Sequence, residues 1–342
     1  MMDRICFLNK IIILILVSNF NIASAQYYFD SNFIKKYYNN SLWSLYQNYS
    51  NHSLNISQKY NKDFTLNTAL NPVAESMTDV GFVYSNEKQY LAFNLYSIPY
   101  QPSNRKPQPK AVNFVIGSIV DNRVSEFGVN WFTGYYDKKS ANFVPGFNDS
   151  TPYFNYDKLR TTNVFYNFIN FTNKRKFSYG AAYRGNAVQR KSASSFVYYA
   201  SVNYDEMNSD SAFIPNKIRN RYDKFGQMNR LNNAYLSAGV GYSATLIIGK
   251  VFFTNLTLMG APGLQYQNCS FVNESKNHKS FNLLIRGDIR YSMGLNFKHF
   301  YLVSSSSIAL KSYNIEKLDI YSIYSMNQLT VGFRIKRKGR IF

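Results

Sequence analysis

Apolar and polar side chains alternate along most of this chain with a period of two. Between 234 and 248, Ala234, Leu236, Val240, Tyr242, Leu246 and Ile248 share one parity, while Tyr235, Ser237, Gly239, Gly241, Ser243 and Thr245 share the other. From 283 to 297, Leu283, Ile285, Ile289, Met293 and Leu295 alternate with Arg286, Asp288, Arg290, Ser292 and Gly294. A helix would scatter these residues around its circumference. A strand separates them, because successive Cβ atoms point to opposite faces. Shorter runs repeat the pattern at Phe177/Tyr179/Ala181/Tyr183, Phe196/Tyr198/Ala200/Val202 and Leu329/Val331/Phe333/Ile335.

Twelve segments read as strands: 80–85, 90–97, 111–119, 125–136, 161–171, 177–186, 194–204, 232–248, 251–266, 280–297, 300–310 and 325–336. Ten or fourteen remain alternatives, because Leu54/Ile56 and Phe64/Leu66 also alternate within 42–70. Strands of about 15 residues exceed the usual five or six. A membrane barrel needs about 9–11 tilted residues to cross the hydrocarbon, often with extensions. One face carries the apolar groups that lipid requires, and the other suits a wet interior. The fold class expected is therefore all-β: a transmembrane antiparallel up-and-down barrel of about twelve strands. A secreted soluble β-sandwich that binds a ligand also alternates and stays as an alternative.

Loop lengths test the count. With the C-terminus on the periplasmic side, 205–231, 267–279 and 311–324 are long outer loops, and 187–193, 249–250 and 298–299 are shorter periplasmic links. Upstream the rule fails: 137–160 becomes a long periplasmic link and 172–176 a short outer one. Either the strand count there is wrong or part of 137–160 packs into the lumen.

The first residues give the compartment. Arg4 and Lys10 precede the apolar run Ile11–Val17, and the segment closes on Ala23-Ser24-Ala25-Gln26. This is the pattern of a secretory signal peptide cleaved after Ala25. The run is too short for an anchor, which needs about 20 apolar residues. The expected organisation is a signal at 1–25, an N-terminal periplasmic segment at 26–75 that could hold extra strands, and a barrel at 76–342. The expected location is the bacterial outer membrane.

Composition narrows the chemistry. The 342 residues include 39 Lys and Arg against 19 Asp and Glu, a net charge of +20, with 30 Tyr and 28 Phe. Tyr/Phe pairs such as Tyr135-Tyr136, Tyr198-Tyr199 and Phe252-Phe253 recur at segment ends, where a barrel places its interfacial girdles. Two cysteines, one of them in the signal, and three histidines argue against a disulfide scaffold, a metal site or a cofactor. The basic balance suits anionic partners, here outer-membrane lipids and lipopolysaccharide, with insertion by the barrel-assembly machinery and a monomeric state. No nucleic-acid motif accompanies the charge, so nucleic acid is not expected as a partner.

Several local motifs carry a resemblance. They are Gly134-Tyr135-Tyr136, the run Lys176-Phe177-Ser178-Tyr179-Gly180-Ala181-Ala182-Tyr183, the run Gln189-Arg190-Lys191-Ser192-Ala193-Ser194-Ser195, and Gly241-Tyr242. Together with a basic and aromatic last strand, they resemble a Bacteroidetes outer-membrane barrel family known as domain of unknown function 4421, from about residue 40 to the end. The resemblance implies a barrel and an outer-membrane address. It implies no established activity and transfers no catalytic residue.

The charged positions left to explain are Arg184, Arg286, Asp288, Arg290, Arg334 and Lys336, expected to face the lumen. They could form a basic constriction that selects anions. Alternatively they form a salt-bridged filling, which a narrow barrel favours, since Arg286 and Arg290 each lie two residues from Asp288. An outer-membrane lipid-modifying enzyme is the catalytic alternative. It would need His52, His278 or His299 as a base, and none follows or precedes a recognisable nucleophile motif. These read as solvated turn histidines. The expected function is a non-enzymatic barrel of structural, adhesive or narrow-channel type.

Overall fold

A computed structural model describes residues 29–37, 40–58, 70–85, 89–99, 110–120, 122–137, 154–272, 274, 277–316 and 318–336. The expected signal peptide and its cleavage after Ala25 lie outside them. Among the described residues there are fourteen strands: β1 (Ile34–Lys36), β2 (Asn40–Gln58), β3 (Pro72–Ser85), β4 (Gln89–Pro99), β5 (Lys110–Val120), β6 (Arg123–Asp137), β7 (Phe154–Phe171), β8 (Ala187–Gln189), β9 (Ala193–Asn208), β10 (Met228–Ile248), β11 (Phe252–Phe271), β12 (His278–Asn296), β13 (Phe300–Ile315) and β14 (Leu318–Lys336). A short helix, α1, spans Tyr179–Tyr183, and a 3-10 helix spans Asn216–Gln227.

Twelve of the strands close into one antiparallel barrel in the order β10-β11-β12-β13-β14-β2-β3-β4-β5-β6-β7-β9. The first and last barrel strands along the chain, β2 and β14, are joined by a ladder from Lys336↔Asn40 to Leu318↔Gln58. β9 skips the inserted α1 and β8 to pair with β7 from Arg160↔Asn208 to Phe171↔Val197. Among the described residues the β4–β5 ladder runs only from Gln89↔Ser118 to Phe93↔Phe114, and β3 pairs directly with β6 at Pro72↔Asp137 and Val73↔Tyr136. Gly134, with φ of 77°, takes the left-handed conformation at the β6 bulge between Thr133 and Tyr135.

The alternation sorts the wall as expected, with the usual protein arrangement inverted. Leu283, Ile285 and Phe281 are 73–80% exposed on the outside. Ser292, Thr257 and Ser243 are fully buried on the inside. The ladder hydrogen bonds, closed into a ring, leave the wall no free edge where it is complete.

The count of twelve holds, but two memberships differ. The barrel begins at Asn40 rather than near 76, because β2 continues the wall through 40–58. The expected strand at 177–186 is instead α1 with its flanks. Tyr179 and Tyr183 have strand parity, yet they also lie at i and i+4, and their rings stack 4.6 Å apart on one helix face. Ser178 caps the helix by accepting from the Ala181 N–H at 3.3 Å, and Gly180, Ala181 and Ala182 carry no bulk that opposes a tight turn.

These changes resolve the loop conflict. The segment 172–192 links β7 to β9 at the end that carries Asn40 and Lys336, here the terminal end, together with the short turns 121–122, 249–251 and 297–299. The opposite end, here the loop end, carries the long connection 209–227, the end of β6 at Asp137 and the start of β7 at Phe154; the residues between those two strands, within the expected link 137–160, lie outside the described residues. The expected outer loop 311–324 is taken up by strand, because β13 and β14 pair as far as Ile315↔Leu318.

Candidate functional site

The barrel interior is filled from both ends. At the terminal end, 172–192 folds back into the mouth, where β8 pairs with β1 from Ile34↔Gln189 to Lys36↔Ala187. Phe171 stacks on Phe177 and on Tyr179 of α1, each at a centroid distance of 5.1 Å. Gly185, with φ of 66°, turns the chain out of α1, and a Cβ there would lie 2.5 Å from the Tyr301 ring. Only glycine fits both demands. At the loop end, Phe213, Ile218, Tyr222 and Phe225 of the 209–227 segment pack with Tyr135, Tyr156, Phe271 and Tyr313 in a buried apolar cap.

Between plug and cap lies a belt of ion pairs that ascends the lumen. Nearest the plug, Arg290 Nη2 donates to Glu126 Oε2 at 3.0 Å and its Nη1 to the Tyr179 hydroxyl at 2.5 Å. Arg184, just beyond the C-terminus of α1, reaches the same Glu126 at 3.3 Å. One level higher, Arg286 makes a forked pair with Asp288, at 2.8 and 3.2 Å, and donates to Ser201 Oγ at 2.7 Å. Above that, Asp205 accepts from Lys311 at 3.2 Å, from the Tyr313 hydroxyl at 2.6 Å and from Asn163 at 2.5 Å. Buried charges so placed are held by partners and hydrogen bonds, and losing one partner costs far more than the pair contributes.

The last level holds His52. Its Nδ1 lies 2.6 Å from the Tyr135 hydroxyl and its Nε2 2.9 Å from Ser322 Oγ. A serine, a base and an orienting hydroxyl have the spacing of a nucleophilic constellation. An oxyanion needs free backbone donors beside the serine, and here the flanking backbone runs in the β14–β2 ladder, Ser322↔Leu54 and Tyr324↔His52. A cavity of about 210 Å³ remains among these levels, lined by Glu126, Asp205, Arg286, Arg290, Lys311 and His52 among others.

The six positions expected in the lumen divide as follows. Arg286, Asp288 and Arg290 lie inside on β12, but only Arg286 pairs with Asp288, because Arg290 crosses to Glu126 on β6. Arg184 is in the lumen on the plug rather than on a strand. Arg334 is buried and donates to the Gly185 carbonyl at 2.9 and 2.7 Å, to Asn296 Oδ1 at 2.6 Å, and to the Phe297 carbonyl. Lys336 has the parity of Arg334 but ends its strand exposed at the rim. His299 is exposed in its turn, and His278 Nε2 lies 2.9 Å from Glu316 Oε1 at the loop end. His52 is the exception among the histidines, a lumen residue on β2 and not a turn residue.

Sequence reasoning missed Glu126, Asp205 and Lys311. Glu126 stood on the polar parity of an expected strand, alongside Gly128 and Asn130, and that parity was a usable signal. Asp205 and Lys311 each fell one residue past an expected strand end.

A family model with the description "domain of unknown function (DUF4421)" matches residues 29–335. The chain belongs to the DUF4421 family. The match takes in both the barrel and the plug of this DUF4421 protein. No curated protein matches it. Among solved structures, it is similar to the outer membrane protease OmpT from Escherichia coli, at 8% identity and a TM-score of 0.37, covering 92% of this chain and 100% of that one. It is also similar to the toluene transporter TodX of Pseudomonas putida, at 6% identity and a TM-score of 0.29 with 87% and 91% covered. A third is Ail, the attachment invasion locus protein of Yersinia pestis, at 8% identity and a TM-score of 0.17 with 87% and 100% covered.

Proposed function

We propose that this DUF4421 protein is an outer-membrane barrel of structural or surface-presenting type whose lumen is closed to solutes. The observation that carries the reading is the pairing of an apolar outer wall with a lumen plugged at one end by 172–192 and capped at the other by 209–227. Leu283 and Ile285 face outward, while Arg290, of the inward parity on the same strand, is tied to Glu126 and to the plug residue Tyr179. A solute would have to displace ion pairs, α1 and the aromatic cap together. In this reading the terminal end faces the periplasm, since short turns and both barrel termini belong there. Lipopolysaccharide surrounds the outer half, the assembly machinery inserts the chain, and the barrel is a monomer.

Liposome swelling tests it. Vesicles holding the folded protein should admit small sugars no faster than empty ones, and swelling at a porin-like rate would contradict a closed lumen. The Ser322–His52 contact favours a second reading, a lipid-modifying hydrolase. Release of fatty acid from phospholipid vesicles that disappears in Ser322→Ala would establish that reading instead.

A further inference from the structure

We propose that the terminal face of the barrel docks on a carboxylate-bearing polymer of the cell wall. The inference rests on the reading that this face looks into the periplasm. Lys174, Arg175 and Lys176 lead into the plug, and Arg190 and Lys191 lead out of it. Lys35 and Lys36 stand on β1, which pairs with the plug strand β8. Lys250, Lys298 and Lys336 mark the rim around them. Among the described residues, Asp30 is the one acid on this face, and its Oδ1 accepts from the Asn32 N–H at 2.9 Å. The loop end is different. There Lys158 meets Asp210 at 3.5 Å, Lys224 meets Glu316 at 3.0 Å, and Arg230 pairs with Glu206.

The basic side chains of the plug are held in place. The Lys176 and Lys191 ammonium groups lie 5.1 and 5.5 Å from the centroid of the Phe33 ring, and Lys36 lies 3.6 Å from that of Phe29. Arg190 Nη1 donates to the Ser31 carbonyl at 3.0 Å. For Lys176, Lys191 and Arg190 these contacts, with an aromatic ring or a carbonyl, fix the cation and leave its charge in place. Crowded like charges raise the free energy of the face, and an anionic partner lowers it.

The position of the cluster selects the partner. Arg175, Lys176, Arg190 and Lys191 belong to the segment that fills the barrel mouth, so they stand inside the ring of strands. Lipid headgroups begin outside that ring, where only the rim lysines reach them. The central cations therefore meet what lies beyond the membrane, and the peptide carboxylates of the cell wall form an extended polyanion at that distance. The plug then has two roles: it closes the lumen and it presents the charged surface.

The test is co-sedimentation of the folded mature protein, in detergent micelles, with purified cell-wall sacculi. At about 50 mM salt the protein should sediment, and at about 500 mM the bound fraction should fall roughly tenfold, because screening shortens the reach of the field. The triple variant Lys176→Glu, Arg190→Glu, Lys191→Glu should lose binding about tenfold at low salt, while its heat-modifiable gel migration stays that of the folded barrel. The loop-end pair Lys158→Glu, Lys279→Glu should bind as the parent does. Equal binding by the triple variant would overturn the proposal, as would sedimentation with phosphatidylglycerol vesicles but not with sacculi. A separate measurement isolates the underlying orientation: His299→Cys should resist an impermeant maleimide on intact cells. Labelling there would overturn both readings, whereas an unlabelled protein that ignores sacculi would sink only this one.

Discussion

The guanidinium of Arg334 on the last strand donates twice to the carbonyl of Gly185 in the plug, from Nε at 2.9 Å and from Nη2 at 2.7 Å. Gly185 can offer that carbonyl because its φ of 66° turns the chain just after α1, beneath the Tyr301 ring. The strand that completes the barrel thus also fastens the segment that fills it. Wall closure and lumen closure are joined at one side chain.

Replacing Arg334 with Met removes this fastening and leaves the Gly185 and Phe297 carbonyls short of donors. Loss of such buried, charge-assisted bonds costs about 2–4 kcal/mol. The expected outcome is an earlier transition in urea with the plug lost first, read as protease cleavage within 172–192 while the wall stays intact. Coincident loss of wall and plug would contradict a separable plug.

Glu126→Gln should be more damaging than its small change in shape suggests. Arg290 and Arg184 then share a neutral amide in place of a carboxylate, and breaking a buried pair in this way costs about 3–5 kcal/mol. The double variant Glu126→Gln, Arg290→Met should recover part of the loss, since no second buried charge is stranded at the same level. Thermal unfolding in detergent, monitored by heat-modifiable migration, separates the two outcomes.

Leu283 and Ile285 distinguish a lipid-facing wall from a wet one. In a soluble protein, exchanging an exposed Leu for Arg would change stability by no more than about 0.5 kcal/mol. On a lipid face the cost is larger, rising from about 1 kcal/mol near the interfaces to about 2–4 kcal/mol at the midplane. Leu283→Arg should therefore fold in micelles but refold poorly into phospholipid vesicles, and equal yields in both would argue against immersion.

Much of this fold was legible in the residues because a barrel wall has one rule, apolar outside and polar inside, repeated along every strand. β10 and β12 were readable residue by residue on that rule. The rule fails where side chains of both parities are buried, and that is the lumen filling. Phe177 to Arg184 carries strand alternation and folds as a capped helix, because it is surrounded on all sides and answers to packing around Phe171 rather than to a lipid face. The belt was half legible for a related reason. Arg286 and Asp288 are neighbours on one strand and betray each other in sequence, whereas Glu126 and Arg290 are 164 positions apart and meet only after closure. Asp205 was hidden by its position one residue beyond an expected strand end, and its partners Lys311 and Tyr313 lie on a strand that reached further than its apolar run.

Planar-bilayer conductance tests the central claim most directly, with the intact protein measured beside a variant lacking 177–186. The intact barrel should show no steady conductance, and the shortened one should show discrete openings, because removing α1, Arg184 and Gly185 clears the terminal mouth and frees Glu126 and Arg334 from the plug. Steady ion flow through the intact protein, equal to that of the shortened one, would contradict the account.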